Sequence, residues 1–309
     1  MNNSSFGRGI FFAAAAFILW GILPVYWKLL AAIKDTHLLA LRIILSLILV
    51  AAILLIQKKY AWLAVFKDRK KGFLLILAAL ALSANWGLFI WAVNKGHTIE
   101  ASLGYYINPL VSIALGLIFF REKLKSLQWA AFGLAAAGVL TLTFMSGSFP
   151  WISMGLALTF GVYGLFKKTN KLSALESLGA ETLAAAPAGL FLLLFSFRQN
   201  GSGLSQIVPG WQDLSYLASL PVHTLIILSL CGAVTSFPLY CFSRGAKILP
   251  LSTLGFIQFF TPTLQFLAGY FLFTEYFPAQ YFAAFTCIWL AVILYIISLK
   301  VQREGVKNV

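Results

Sequence analysis

Six polar side chains fall into two sets with matching spacing. Tyr105, Asn108 and Ser112 stand three and four residues apart, so they share one face of a helix. Gln258, Thr261 and Gln265 repeat that spacing 153 residues further on. Each set is tied to a proline, Pro109 or Pro262, which lacks an N–H and clashes with the carbonyl four residues earlier. Those carbonyls belong to Tyr105 and Gln258, members of the same sets. Amides, hydroxyls and freed carbonyls on one face can hold a polar solute through hydrogen bonds. Equally, they can bridge neighbouring helices without touching any solute.

Other side chains could act with them. Trp20 and Trp86 fall near mid-depth of long apolar runs, where they either stack on a flat or apolar molecule or pack between helices. Trp27, Trp62, Trp129 and Trp151 sit near run ends and read as interfacial belt residues. Lys28, Arg42 and Glu100 map to one end of the bundle, and ionisable groups inside apolar runs default to a functional role. A contact of Glu100 with Arg42 or Lys28 would close a gate there, or the cations would receive an anionic group; the alternative for Lys28 is snorkelling. Glu176 is explained by the capping-box spacing of Ser173-Ala-Leu-Glu176, whereas Glu181 lies deeper and is a candidate for gating or proton coupling. His37, His97 and His223 fall at or near run ends.

Several chemistries are not indicated. Cys231, Cys241 and Cys287 lie in apolar runs without metal or disulfide spacing, so no metal and no cofactor is expected. Gly164-Leu-Phe-Lys-Lys-Thr169 has the wrong glycine spacing for a nucleotide-binding loop. Catalysis on a lipid-linked substrate would need an acid/base pair at a bilayer interface, for which Glu100 with His97 is the nearest candidate.

The elements that must position these residues follow from composition. Of 309 residues, 61% are hydrophobic and 10% charged, and the mean hydropathy is +0.89. A soluble domain keeps about 25% charged residues, so lipid must solvate most of this surface. At about 20 apolar residues per crossing, ten membrane helices are expected: 9–31, 37–56, 73–93, 98–120, 127–146, 150–166, 174–197, 221–242, 249–273 and 277–299. The first run is too long for a signal-peptide core and reads as a retained helix. Residues 198–220 read as a polar external loop, with room for a short surface helix.

The net charge of +14 is confined to short clusters between apolar runs, which indicates loops beside anionic lipid and no nucleic-acid partner. With both termini inside, 18 basic residues fall in internal segments, while only Lys34, Lys95 and Arg198 are external. That asymmetry places both termini in the cytoplasm.

The halves also match each other: Pro109 with Pro262, Gly116 with Gly269, Glu122 with Glu275. Five helices is an odd number, so the second half is expected to lie upside down relative to the first. The fold class expected is all-α integral membrane, ten transmembrane helices as two inverted five-helix repeats, residues 1–148 and 149–309. Gly116 and Gly269 would permit close approach about a pseudo-twofold axis.

Asn85-Trp86, Phe89 to Asn94, and Glu100-Ala-Ser-Leu-Gly-Tyr-Tyr-Ile-Asn-Pro-Leu110 together resemble the signature of RarD-type proteins of the EamA family, in the drug/metabolite transporter superfamily. Trp20-Gly21, Tyr163-Gly-Leu165, Glu181-Thr182, Pro187 and Ser252 to Phe256 with Gln258 agree with it. The resemblance covers nearly the whole chain. It implies a permease or exporter of a small metabolite or drug-like solute in the plasma membrane, not an enzyme. Proton coupling, the lipid-linked-substrate alternative and a homodimer all stay open; the partners expected are a small-molecule solute and the lipid bilayer.

Overall fold

The structure is a computed structural model that describes residues 3–94, 97–145, 149–199, 205–209, 217, 219–272 and 280–307. Among the described residues the regular structure is helical apart from one hairpin. Its helices are α1 (Asn3–Leu29), α2 (Asp35–Ile56), the short α3 (Ala61–Ala64), α4 (Arg69–Asn94), α5 (Thr98–Phe119), α6 (Ser126–Met145), α7 (Trp151–Thr169) and α8 (Ala174–Leu194). They continue as α9 (Val222–Ser229), α10 (Cys231–Ile248), α11 (Leu251–Gln258), α12 (Phe260–Leu272) and α13 (Gln280–Lys307).

Eight helical stretches among the described residues are long and apolar enough to cross a membrane, one of them running from Val222 through α9 and α10 to Ile248. The expected spans at 150–166 and 249–273 are not among the eight. The first corresponds to α7, which ends in Lys167 and Lys168. The second is divided between α11 and α12 at Phe259. Pro262 lies just past this break, and its missing N–H leaves the Gln258 carbonyl without a helical donor. Pro109, its partner in the first half, sits inside an uninterrupted α5.

The surface helix expected within 198–220 is replaced, over part of that loop, by an antiparallel hairpin. Strand β1 (Phe195–Gln199) pairs with β2 (Ser205–Pro209) in the register Phe195↔Pro209 and Phe197↔Ile207. Alternating Phe and polar residues opposite Ile207-Val208 favour extended backbone, so α8 stops at Leu194, earlier than expected.

The packing partners are specific. Helix α6 packs on α13, α5 on α7 and on α11, and α1 on α10 and α12. Helix α2 packs on α8 and α10, and α4 on α7 and α8. Close approach depends on bare backbone at two glycines. A Cβ on Gly255 would lie 2.7 Å from the Pro109 carbonyl oxygen, where α11 crosses α5. One on Gly116 would lie 2.7 Å from a Glu122 carboxylate oxygen.

Glu122 itself is aimed by the end of α5. Arg121 adopts a left-handed conformation (φ 51°), and the Glu122 N–H donates back to the Gly116 carbonyl. That turn sends the Glu122 carboxylate across to α11, where it accepts from the Leu251 N–H (2.7 Å), the Ser252 N–H (2.9 Å) and the Ser252 hydroxyl (2.7 Å). A carboxylate on the orphan donors of a helix N-terminus is a favourable cap. The expected cap on α8 is also present: Ser173 and Glu176 form a reciprocal capping box.

Candidate functional site

A cavity of about 250 Å³ lies between α1, α2, α4, α5, α7, α10, α11 and α12. Of the residues singled out in the sequence, Trp20, Trp86, Tyr105, Asn108, Gln258, Thr261 and Gln265 line it, and so does Arg42. The stripes do not serve only one purpose. The Thr261 hydroxyl donates to the Phe17 carbonyl (2.7 Å), and the Gln265 amide donates to the Trp20 carbonyl (3.3 Å), while both side chains also face the cavity. Pro24 explains the second bond, because its missing N–H leaves the Trp20 carbonyl free.

Ser112 is set back from the cavity. Its hydroxyl donates to Gln258 Oε1 (3.2 Å), tying α5 to α11 and orienting the amide that does face inward. Asn108 is buried, and its Oδ1 has no hydrogen-bond partner among the described residues. Such an acceptor is costly to leave unmet in a low-dielectric interior unless water or a solute reaches it.

Arg42 is held by two rings. Its guanidinium carbon lies 4.4 Å from the centroid of Trp27 and 4.7 Å from that of Trp86, and Nε donates to the Thr235 hydroxyl at 3.4 Å. Trp27 is therefore part of the cavity wall and not a belt residue, and Trp62 is likewise buried against the core. Trp129 and Trp151 are half exposed, as belt residues would be.

The expected contact of Glu100 with Arg42 or Lys28 is not formed. Glu100 instead pairs with His97 (Nδ1 to Oε1, 3.1 Å), one turn away on its own helix, and His97 stacks on Trp91. Lys28 is exposed at the end of α1, off the cavity. His37, near the start of α2, is buried within the protein.

Glu181 belongs to a second, separate cluster. Its carboxylate lies 2.8 Å from Lys167 Nζ and accepts from the Ser177 hydroxyl (2.7 Å) and the Tyr163 hydroxyl (3.2 Å). Lys167 and Glu181 are 0% and 3% exposed, so this is a fully desolvated ion pair. A small void of about 20 Å³, lined by both Glu181 and Arg42, lies between the two sites.

The cavity reaches one end of the bundle only. Trp27 and Leu38, on its wall, flank the 30–34 turn; none of its lining residues comes from the 120–125 or 249–250 turns. The opposite end is tied by polar bonds: the Glu122 cap, Lys168 donating to the Leu249 carbonyl, and Lys247 donating to the carbonyls of Asn170 (2.8 Å) and Leu172. Glu275 lies outside the described residues.

Sequence reasoning did not single out Asn85, Phe89 or Phe160 as wall residues. Asn85 donates to the Leu156 carbonyl (2.8 Å) and faces the cavity from α4.

The sequence profile of the EamA-like transporter family matches residues 7–144. A Bacillus subtilis (strain 168) protein named uncharacterized transporter YojE is 39% identical over the full length of both chains. A Streptomyces exfoliatus protein named RarD is 39% identical over 93% of this chain and 87% of its own, and an Escherichia coli K12 protein of that name is 36% identical over 99% and 100%. A solved crystal structure, 16% identical, shares the fold with a TM-score of 0.67 over 93% of this chain and 96% of that one.

Proposed function

Because the chain belongs to the EamA family of membrane transporters, we propose that it is a secondary transporter of a small metabolite whose binding site is this cavity. The observation that carries this reading is the cavity wall. Asn108 and Tyr105 from one half face Gln258, Thr261 and Gln265 from the other across about 250 Å³ of space. An engineered 150 Å³ cavity accepts benzene, and drug-sized sites start at about 300 Å³. The space therefore suits a single-ring or short-chain metabolite better than a bulky drug.

Ten crossings, arranged as inverted repeats 1–148 and 149–309 in the plasma membrane, fit the packing. Exchange the five long helices of the first half with their counterparts in the second, taking α9 with α10 and α11 with α12 as single crossings. The principal packed pairs then map onto one another: α1 on α10 becomes α7 on α4, α5 on α7 becomes α12 on α1, and α2 on α10 becomes α8 on α4. The basic clusters put the Glu122, Lys168 and Lys247 end in the cytoplasm. On that orientation the cavity faces outward and the inner end is closed. Transport then requires the inner polar layer to part while the outer end closes around the solute.

Glu181 fits a gating role better than a coupling one. Three donors already hold its carboxylate, and it stands apart from the solute cavity.

Tracer counterflow in proteoliposomes, over a panel of single-ring and short-chain metabolites, tests the reading. At least one solute should exchange chemically unchanged, and Asn108→Leu should lower that flux about tenfold or more, as expected for loss of a buried hydrogen bond in a polar site, with abundance and monodispersity near normal. Full flux in Asn108→Leu would rule this cavity out as the pathway. Chemical modification of a lipid-linked substrate without flux would favour an enzyme.

A further inference from the structure

Resting on that cavity as the solute site, we infer that the solute is an organic monoanion, a carboxylate with a compact apolar body, and that Arg42 is its counter-charge.

Arg42 is the only formally charged residue in 36–56, and it lies well inside α2. It is also the only charged side chain among the described cavity residues. A guanidinium has five N–H donors in a planar fork suited to a carboxylate. Here only Nε is engaged, by a neutral hydroxyl, and no carboxylate lies within 4.0 Å among the described residues. Trp27 and Trp86 both pack against the guanidinium, 4.4 and 4.7 Å from their ring centroids. Ring faces stabilise a cation but do not cancel its charge.

Glu181 is the nearest candidate for that missing partner, since it shares the small void with Arg42. Its charge is already matched by Lys167 at 2.8 Å. Glu100 is not among the cavity-lining residues and makes its contact with His97 instead. The cavity thus carries one unmatched positive charge, in a medium where such charges are retained only with a partner or a function. A singly charged carboxylate balances it, whereas a dianion would exceed it and a cation would be repelled.

The rest of the wall supplies the remaining chemistry. Seven aromatic residues line it, Phe17, Trp20, Trp27, Trp86, Phe89, Tyr105 and Phe160, and these suit a flat or apolar body. Asn108 Oδ1 is an acceptor in want of a donor, so a hydroxyl or N–H on the solute would add to binding.

The wall carries its own reporter, because Trp20, Trp27 and Trp86 should change emission when the cavity fills. Four matched probes separate the possibilities on the purified full-length protein: 3-phenylpropionate, 3-phenyllactate, 3-phenylpropanamide and 3-phenylpropylamine. We expect 3-phenylpropionate to bind about tenfold or more tightly than the amide or amine, a difference of about 1.4 kcal/mol per tenfold. The hydroxyl of 3-phenyllactate should tighten binding further, and Asn108→Leu should erase that increment. Arg42→Gln should remove the preference for acid over amide. Should Arg42→Gln fail to fold, the order of the four probes on the natural protein decides the matter unaided. Equal or tighter binding of the amide or amine would overturn the charge assignment and leave the transport reading standing. Silence from all four up to millimolar concentration, with no solute exchanging in counterflow, would overturn both.

Discussion

Arg42 and Glu181 both line a void of about 20 Å³, and the carboxylate is already paired with the buried Lys167, so Arg42 has no carboxylate among the described residues. Lys167 and Glu181 neutralise each other at 2.8 Å, with Ser177 and Tyr163 completing the acceptor positions of the acid. Removing one partner of a fully buried pair leaves the other uncompensated, at a cost of about 3–5 kcal/mol. Glu181→Gln should therefore lower the melting temperature in detergent markedly, and Lys167→Met combined with Glu181→Gln should recover most of the loss. The double variant should also keep the natural pH profile of flux, because on the proposed gating role this pair holds charge and carries no transported proton. A flattened profile would restore Glu181 as the coupling group. At this scale the sequence was partly legible. Spacing brought out five polar wall residues, because the 3.6-residue period fixes which side chains share a face, and counting depth along the apolar runs brought out Trp20 and Trp86. Partners across helices were not legible: nothing along the chain says that Trp27 will lie under Arg42. Trp27 was placed at the belt by counting from the helix end, and depth alone does not set rotation about the axis.

Helices in this bundle are shaped by where the backbone loses a donor and where it lacks a side chain. Pro24, Pro109 and Pro262 each free a carbonyl, and the Trp20 carbonyl freed by Pro24 is taken up by Gln265 from α12. Prolines are visible in a sequence, as are the two matched stripes, so the position of the site within its helices was readable. The outcome at each proline was not. Pro109 leaves α5 continuous, whereas α11 and α12 part before Pro262, where the Tyr106 hydroxyl donates to the Pro262 carbonyl at 3.0 Å. That bond comes from the other half of the chain. Crossing glycines give the sharpest prediction for elements. A Cβ on Gly255 meets the Pro109 carbonyl oxygen at 2.7 Å and Ile113 Cγ1 at 2.6 Å, and backbone cannot move aside as a side-chain tip can. Gly133, on α6, has nothing within 4 Å of the same position. Gly255→Ala should be destabilising by about 1–3 kcal/mol through overpacking, while Gly133→Ala should be neutral or stabilising by up to about 1 kcal/mol through helix propensity. Parallel melting curves in one detergent check the pair, and equal effects at both positions would mean that α5 and α11 do not cross this closely.

On the scale of the whole molecule, the exchange symmetry of the packing and the one-ended cavity together make a case for alternating access. If the halves are equivalent and inverted, any closed inner end has an open outer counterpart, and interchanging their roles yields the second state without a new fold. Hydropathy made an all-helical membrane architecture readable along the chain, since lipid does not tolerate unpaired backbone, and eight of the ten expected spans recur as helices long and apolar enough to cross. Long-range packing was not readable, because all the apolar faces look alike until they meet. The inversion can be tested through two exposed lysines. Lys34 lies in the connection between the first two long helices of the first half, and Lys171 lies in the equivalent connection of the second. Halves running the same way up would place both residues on one side of the membrane; inverted halves must separate them. With Cys231, Cys241 and Cys287 replaced by alanine, a membrane-impermeant maleimide should label Lys34→Cys in intact cells. Lys171→Cys should label only after permeabilisation. Both reacting from the same side would remove the inverted repeat, and with it the route by which an outward-facing cavity becomes an inward-facing one.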